Sequence, residues 1–419
     1  MTNNYYQALN NFSTNARMYL AFNFLTSLYV GMASVIFNLY IIKLGYNEQF
    51  LGLIISATMI ATGVFAFPAA QVCDRIGSKK CLLVSCILSS VVSFLLYVLT
   101  GQGWLLVLSL LSGIVSTVPT IIAAPFMVEN STPEDRIYLF SFNFALFVLA
   151  TVLGMAIGGY LPQVWSSIFG VDGGSILSFR YTLYASLAVS VISIVPLFFL
   201  REKKRVCIDA PDLGMMLREL AGSKVVKRLV TISCLIGLGA GLIVPFFNVY
   251  FSKMLSASTG QIGLIFALAQ ASMAVGAMAV PFMVSRIGRV RTVSLTYLIS
   301  IPFLIVLAVS TNLYVAGAAY ILRMLFMNMS VPISNSFSME IVHSEEMASV
   351  SSLTSMGSYI SIAVSSFIAG ILMSYGSYLL PYAATCLFYL AASVLYFKFF
   401  HRYEEKHMEH THAEAAAGQ

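Results

Sequence analysis

The chain has 419 residues, of which 59% are hydrophobic and only 10% are charged, and its mean hydropathy is +0.87. Typical soluble proteins are about 45–50% apolar and about 25% charged, so this composition excludes an ordinary soluble domain and indicates a membrane protein. The net charge of +6 does not indicate nucleic-acid binding, because the basic residues stand in short loops between apolar runs, as membrane topology explains.

The apolar runs are each about 20 residues long, the length at which a helix crosses a hydrocarbon core of about 30 Å. They lack the period-2 alternation of barrel strands, so we predict an all-α polytopic protein. Residues 1–17 are polar and no cleavable signal is apparent, so we expect the first helix to remain. The predicted spans are 18–43, 49–72, 81–99, 104–128, 137–162, 179–200, 229–251, 261–284, 292–310, 313–340, 349–373 and 380–400.

The basic residues predict the orientation of these twelve spans. An even number places both termini on one side, and an inside N-terminus puts 19 of the 23 Lys and Arg residues on the cytoplasmic side. Lys43, Arg180 and Lys253 then lie outside, and Arg323 lies within a span. We therefore expect a multi-pass protein of the cell membrane with cytoplasmic termini, and no disulfide framework.

The longest connection, residues 201–228, divides the predicted chain. It separates an N-terminal six-helix half, 1–200, from a C-terminal half, 229–400, and residues 401–419 form a polar cytoplasmic tail. The connection is either a solvated linker or carries a surface amphipathic helix. The apolar residues that would form its membrane face are Leu213, Met216, Leu217 and Leu220.

The second half repeats the first at a nearly constant offset. FNLYIIK at 37–43 matches FNVYFSK at 247–253, DRIG at 74–77 matches SRIG at 285–288, and Glu129 and Glu340 differ by 211 positions. Two copies of a six-helix unit enter the membrane in the same direction, so their pseudo-symmetry axis runs along the membrane normal. That is the arrangement of transporters whose substrate binds between two rocking halves.

These features carry a family resemblance. AQVCDRIGSKK at 70–80 resembles the loop 2–3 signature of the major facilitator superfamily, G-x-x-x-D-R-x-G-R-[RK]-[RK], and RIGR at 286–289 resembles its partner in loop 8–9. Ala70, Ser78 and Ser285 depart from the pattern. The resemblance implies two pseudo-symmetric six-helix bundles that move a small-molecule substrate across the bilayer, with no cofactor and no enzymatic activity; we expect a monomer.

Helix 5 carries part of a second signature. Gly154, Gly158 and Gly159 resemble the glycines of the drug-antiporter motif G-P-x-x-G-G, but its proline is missing. The alternative is close helix packing through small residues.

The charged loops predict a conformational latch. Asp74 can lie at the N-terminal end of a helix in the other half, Arg75 and Lys79 can pair with Glu129, and Arg286 or Arg289 can pair with Glu340. The alternative is simple retention of basic loops inside. Ser285 occupies the position that corresponds to Asp74, so the second copy lacks this acid. We therefore expect the first copy to hold the tighter latch. The predicted latch residues are Asp74, Arg75, Gly77, Lys79, Glu129, Arg286, Gly288, Arg289 and Glu340.

Helix 10 contains the one basic residue placed within a span. Arg323 lies about 13–15 Å from the outer end of the helix, at a depth where an arginine should face a cavity or a partner. It binds either an anionic or carbonyl group of the substrate or polar groups of neighbouring helices. Two polar stripes follow on this helix, one through Met327 and Ser330 and the other through Asn328 and Asn335, and one of them should line the cavity.

Three further amides complete the predicted substrate site. Asn38 and Asn248 are related by the repeat near the outer ends of helices 1 and 7, which suits an outer gate, and Gln270 lies in helix 8. Interhelical hydrogen bonding is the alternative role.

All 17 acidic residues fall in loops, tails or span ends, and no histidine falls in a span. A buried carboxylate, which cation exporters and many proton-coupled carriers use, is therefore not predicted. His410 and His412 make an incomplete metal site, so no metal is expected. We predict a secondary transporter of a small organic solute, amphipathic and neutral or anionic; the alternatives are a multidrug efflux antiporter and a lipid flippase or non-transporting sensor.

Overall fold

The computed structural model describes residues 12–201, 214, 222–342 and 347–417, apart from the side chains of 133–134, 348, 402 and 405–417. Within these residues, twelve helices are long and apolar enough to cross a membrane, which confirms the all-α prediction. We number them α1 to α12: Thr14–Lys43, Glu48–Ile76, Ser78–Val98, Gln102–Glu129, Pro133–Phe169, Ile176–Phe198, Lys224–Met254, Thr259–Ile287, Arg289–Val309, Leu313–Glu340, Met347–Ser374 and Leu379–Ala417. The predicted membrane face of the linker, Leu213, Met216, Leu217 and Leu220, lies outside the described residues.

Three of these helices are interrupted beside a proline, which lacks an N–H and clashes with the preceding turn. α6 is interrupted before a single turn at Val195–Phe198, α7 contains a 3-10 turn at Val244–Phe246, and α10 is interrupted at Ser330 before Val331–Glu340. The prolines in these segments are Pro196, Pro245 and Pro332. α4 runs unbroken through Pro119, the repeat counterpart of Pro332 in α10. The two copies therefore differ in α10, where the break separates an apolar segment from a polar one.

The sequence repeat is also a repeat of helix boundaries. α2 and α8 each have 29 residues and end at Ile76 and Ile287, 211 positions apart. α3 and α9 each have 21 residues and follow Gly77 at φ 97° and Gly288 at φ 84°. Glycine adopts this region without a Cβ penalty, so the turn into the next helix is sharp in both copies.

Packing divides the described chain into two compact units. The first contains α1–α6 together with Phe246–Leu268, and the second contains α7 up to Pro245 and the chain from Ala269 onward. In the first unit α1 packs against α5 and α6, α2 against α4, and α3 against α4 and α6. In the second unit α7 packs against α11 and α12, and α9 against α10 and α12. The units differ from the predicted halves by the segment Phe246–Leu268, which groups with the first.

Each unit has an aromatic cluster near its charged loop. In the first, the rings of Tyr19 and Phe126 lie 4.9 Å apart between α1 and α4. In the second, the Phe337 ring of α10 meets Phe400 of α12 edge-on at 5.7 Å. These clusters anchor the helix ends that position the charged residues.

Candidate functional site

Two carboxylates from different helices hold the α8–α9 loop. Arg289 Nη1 forms an ion pair with Oε2 of Glu340 at the end of α10, one of the pairings that the loop charges predict. Glu404, on the extension of α12, accepts hydrogen bonds from the backbone N–H of Arg289 and, at 3.1 Å, from that of Val290. The first N–H groups of a helix have no partner within it, so this carboxylate caps α9. Arg286 instead lies 4.3 Å from the centre of its neighbour's ring, Phe282.

The α2–α3 loop is held differently. Asp74 is half-buried and Arg75 exposed in the last turn of α2, and Glu129 is half-buried at the end of α4. The predicted pairing of Lys79 with Glu129 is not observed. The Lys79 ammonium donates to the backbone carbonyls of Phe198, at 3.0 Å, and Leu200, at 2.6 Å. A cation is favourable there because the carbonyls at a helix C-terminus lack partners and carry partial negative charge.

In each copy, the helix that follows the charged loop contacts the last helix of that copy. The charged group is a lysine on α3 in the first copy and a glutamate on α12 in the second. α6 ends at Phe198 and presents free carbonyls to a lysine on α3, whereas α12 continues past the same level and presents a carboxylate to α9. Val290 stands where the first copy has Lys79. The second copy therefore also contains a buried helix cap.

Arg323 lies in the interior of the second unit, where it is 2% exposed. Its Nη2 donates to the Tyr389 hydroxyl of α12 at 2.8 Å, and its guanidinium carbon lies 5.7 Å from the centre of the Tyr389 ring. Its Nη1 lies 3.1 Å from the Met324 sulfur. The contact with Tyr389 is of the interhelical kind that the sequence offers as the alternative to substrate binding.

The side chains of Met327 and Ser330 share this buried face of α10. Ser330 Oγ lies 3.0 Å from Thr296 Oγ1, and Ser300 Oγ lies 3.8 Å from the Met327 sulfur. Both partners belong to α9. This stripe of α10 therefore packs against protein.

The second polar stripe of α10 is more accessible. Asn328 is half-buried and donates to the backbone carbonyl of Met324 at 2.9 Å, while Asn335 and Ser336 are exposed. Polar side chains in a span are costly in lipid, which favours a position facing water or protein. This is therefore the face of α10 on which polar side chains are accessible. Gln270 is half-buried in α8.

A second set of polar contacts lies in the first unit, at the end of α2 opposite the α2–α3 loop. Lys253 Nζ lies 2.5 Å from Glu48 Oε1, and the Glu48 side chain is 6% exposed. Asn248 donates to the backbone carbonyl of Val35 at 3.1 Å, and its Oδ1 lies 3.4 Å from Asn38 Nδ2. The end of α7 is thereby fixed to α1 and α2. The repeat relates Asn38 to Asn248 by position, but nothing in the sequence brings Glu48 to Lys253.

Close helix packing accounts for the glycines of α5. A Cβ on Gly159 would lie 2.8 Å from the Gly263 Cα and 2.6 Å from the Thr259 carbonyl oxygen in α8. A Cβ on Gly154 would lie 3.0 Å from the Gly31 Cα in α1. These glycines therefore serve the packing role that is the alternative to an antiporter signature.

No cluster of three His, Cys, Asp or Glu residues suited to a metal ion occurs within the described part of the chain. His410 and His412 lie where side chains are not described.

Comparison with known proteins identifies the family. The sequence model of the Major Facilitator Superfamily matches residues 19–360 and, in a second overlapping match, residues 229–418. The chain belongs to the Major Facilitator Superfamily. As a member of that superfamily it is a membrane secondary transporter that binds a small-molecule substrate, and it is not an enzyme. A comparison with curated protein sequences finds no significant match.

Solved structures of the superfamily share the fold. A mutant form of the nucleoside transporter NupG is similar with a TM-score of 0.74 at 14% identity, over 92% of this chain and 99% of that one. A bacterial homologue of the human lysosomal transporter Spinster has a TM-score of 0.71 at 15% identity, over 94% and 96%. A D-xylose–proton symporter has a TM-score of 0.72 at 14% identity, over 92% and 97%. At these identities the likeness concerns the fold alone.

Proposed function

We propose that this transporter carries a small organic solute without a fixed positive charge, amphipathic and neutral or anionic, by alternating access of its two six-helix halves. The observation that carries the proposal is the accessible polar stripe of α10, where Asn328, Asn335 and Ser336 provide amide and hydroxyl groups within a span. Such groups bind a solute through hydrogen bonds, with no net charge to balance a cation.

The positions of the acidic residues support the charge preference. In the described spans, acids stand at the helix ends, as Glu48, Asp74, Glu129 and Glu340 do. A permanently charged cation at mid-membrane depth would lack a carboxylate partner there, and desolvating it unpaired is costly.

The contacts of Glu48 with Lys253 and of Asn248 with α1 would close one end of the transporter in one state of this cycle. The distribution of basic residues assigns that end to the outside and both termini to the cytoplasm. Opening the gate must break these contacts, while the ion pair of Arg289 with Glu340 belongs to the proposed latch at the other end. Alternating access needs such contacts to differ between two states.

A thermal-shift screen of the purified full-length protein tests the solute class. Nucleosides and pentoses serve as neutral probes, aromatic carboxylates as anionic probes, and quaternary ammonium compounds as cationic probes. A ligand at about 100 times its Kd stabilises a protein by about 2.7 kcal/mol, which is readily measured. We expect stabilisation by a neutral or anionic probe that is lost in Asn335→Ala and retained in Ser285→Ala, an exposed position at the end of α8.

Other outcomes contradict the proposal. Stabilisation by cationic probes alone would reverse the charge preference, and stabilisation by several unrelated hydrophobic cations would indicate multidrug efflux. A hit must also be taken up or released by proteoliposomes containing the protein, because binding without flux would contradict transport of that solute.

A further inference from the structure

A buried amide network joins three helix ends in the first unit. α1 begins at Thr14, α4 ends at Glu129, and α6 ends at Phe198. Asn15 and Asn130 stand at the first two of these ends and are buried, at 6% and 5% exposure. Because helix ends leave backbone groups without partners inside the helix, side chains at these ends can hold a neighbouring segment.

Asn15 pairs with the backbone of the residue at which the connection between the two halves begins. Its Oδ1 accepts a hydrogen bond from the Arg201 N–H at 2.8 Å, and its Nδ2 donates to the Arg201 carbonyl at 2.8 Å. The same nitrogen donates to Asn130 Oδ1 at 2.9 Å. Two of the three hydrogen bonds of this amide therefore go to the backbone of one residue.

Asn130 fastens this pair to α4. Its Nδ2 donates to the Phe126 carbonyl at 2.9 Å, and its backbone carbonyl accepts from Ser13 Oγ at 3.0 Å. Ser13 is also the N-cap of α1, where its Oγ accepts from the Ala16 N–H. Both buried amides thus donate and accept, and hydrogen bonds linked in this way strengthen one another.

The chain between α6 and residue 201 is held as well. Leu197 and Leu200 are buried, at 0% and 2% exposure, and the Leu200 N–H donates to the Leu197 carbonyl at 3.3 Å. The Lys79 ammonium engages the carbonyls of Phe198 and Leu200. Helix ends ordinarily fray, but here the contacts continue to Arg201.

The second copy of the repeat lacks this network. Val226 and Ile341 occupy the positions that correspond to Asn15 and Asn130 at the offset of 211, and neither side chain can form a hydrogen bond. Burying an amide is costly unless it is hydrogen-bonded, so apolar residues suffice where packing alone is needed. Since the connection leaves the first copy, the two asparagines stand in the copy where its start must be held.

We propose that Asn15 and Asn130 form an anchor that fixes the start of the connection to the first half and prevents the end of α6 from fraying. The role rests on the alternating access proposed for this protein, in which the halves move relative to each other while the connection links them covalently. Each residue released from the anchor would lengthen the connection by about 3.5 Å. The anchor therefore keeps the length of the connection constant during the movement.

Hydrogen exchange of the full-length protein in detergent, followed by mass spectrometry, tests the anchor. No solute is needed, so a wrong solute class would not affect the result. We expect Asn15→Ala to speed exchange of the Arg201 amide by about tenfold or more, because the acceptor of that N–H is lost.

The matched control is Asn23→Ala. It removes an amide pair of the same kind on α1, in which Asn23 Nδ2 donates to Asn143 Oδ1 at 2.8 Å. This variant should change exchange of the Arg201 amide by less than about twofold. Unchanged exchange in Asn15→Ala, or equal acceleration in Asn23→Ala, would overturn the proposal.

Two further variants separate the backbone contact from other causes. Arg201→Ala should keep the slow exchange, because the anchor holds the backbone of this residue; fast exchange there would contradict the proposal. Asn130→Ala should speed exchange by a smaller but measurable factor, since both bonds from Asn15 to residue 201 remain possible. Slow exchange at the buried Leu183 shows that α6 is folded in each variant. If Asn15→Ala fails that check, Asn130→Ala decides, and unchanged exchange at residue 201 in this variant would overturn the proposal.

Discussion

A single carboxylate fixes the start of α9, and the sequence does not mark it. Glu404 stands in RYEEKHMEH, where glutamates at 405 and 409 have the same chemistry. Only the rotation of α12, set by buried residues such as Phe400, turns the side chain at 404 toward the backbone of Arg289 and Val290. The pairing of Arg289 with Glu340 was predictable, because the repeat offset places both beside one charged loop.

Removing this cap should destabilise the protein. We expect Glu404→Ala to lower the free energy of unfolding by about 1–3 kcal/mol, because it leaves two backbone donors without their charged acceptor. Glu404→Gln retains one acceptor oxygen and should lose less. The check is denaturant or thermal unfolding in detergent, and equal stability of all three proteins would exclude a capping role.

The role of Arg323 is also decided at this scale. If Tyr389 holds the guanidinium, Tyr389→Phe should destabilise the protein by about 1–3 kcal/mol in the parent and by much less in an Arg323→Gln background. Additive effects in this double-mutant cycle would contradict the contact. Retained solute binding in Arg323→Gln would favour a structural role, and its loss would favour the predicted substrate role.

At the scale of the helix, the number of spans was predictable, their ends only in part, and their rotations were not: the prediction of 137–162 for helix 5 falls short of Pro133–Phe169. The prediction of 313–340 for helix 10 matches Leu313–Glu340, because apolar length and flanking polar residues define a span. Both stripes of that helix contain polar residues, so composition alone could not tell that Met327 and Ser330 pack on α9 while Asn335 is exposed.

The contact between α5 and α8 gives a prediction at this scale. Gly159→Val should disfavour the conformation described here, because its Cβ would lie 2.6 Å from the Thr259 carbonyl oxygen. Asn248 is 2% exposed in this conformation. In a protein whose native cysteines are replaced, a cysteine introduced at position 248 should therefore react faster with an impermeant maleimide when Gly159→Val is also present than when Gly159 is retained. Gly103→Ala, where a Cβ meets nothing within 4 Å, is the control. An unchanged labelling rate would argue against this contact as part of a gate.

At the scale of the whole molecule, the two copies of the repeated unit differ in the contacts that their charged side chains make. Lys253 is the counterpart of Lys43, but Lys253 forms the ion pair with the buried Glu48. The repeat predicted a similar position for the two lysines. The partner of Lys253 depends on where α7 breaks and on what it packs against.

Reversing this ion pair should separate a gate from a passive contact. We expect Glu48→Lys to slow solute flux through the protein and to increase labelling at Asn248, because like charges then meet. Glu48→Lys with Lys253→Glu should restore both, whereas Glu48→Lys with Lys43→Glu should not. Failure of the first pair to restore flux in stable, folded protein would show that the contact is not a gate.

The helical continuation of α12 has a mechanical consequence. From His401 to Ala417 it extends about 24 Å at 1.5 Å per residue. Because Glu404 joins the base of this projection to the first turn of α9, a small tilt of α9 is converted into a larger displacement at the far end. A spectroscopic label near Ala417 would therefore report a tilt of α9 during the transport cycle.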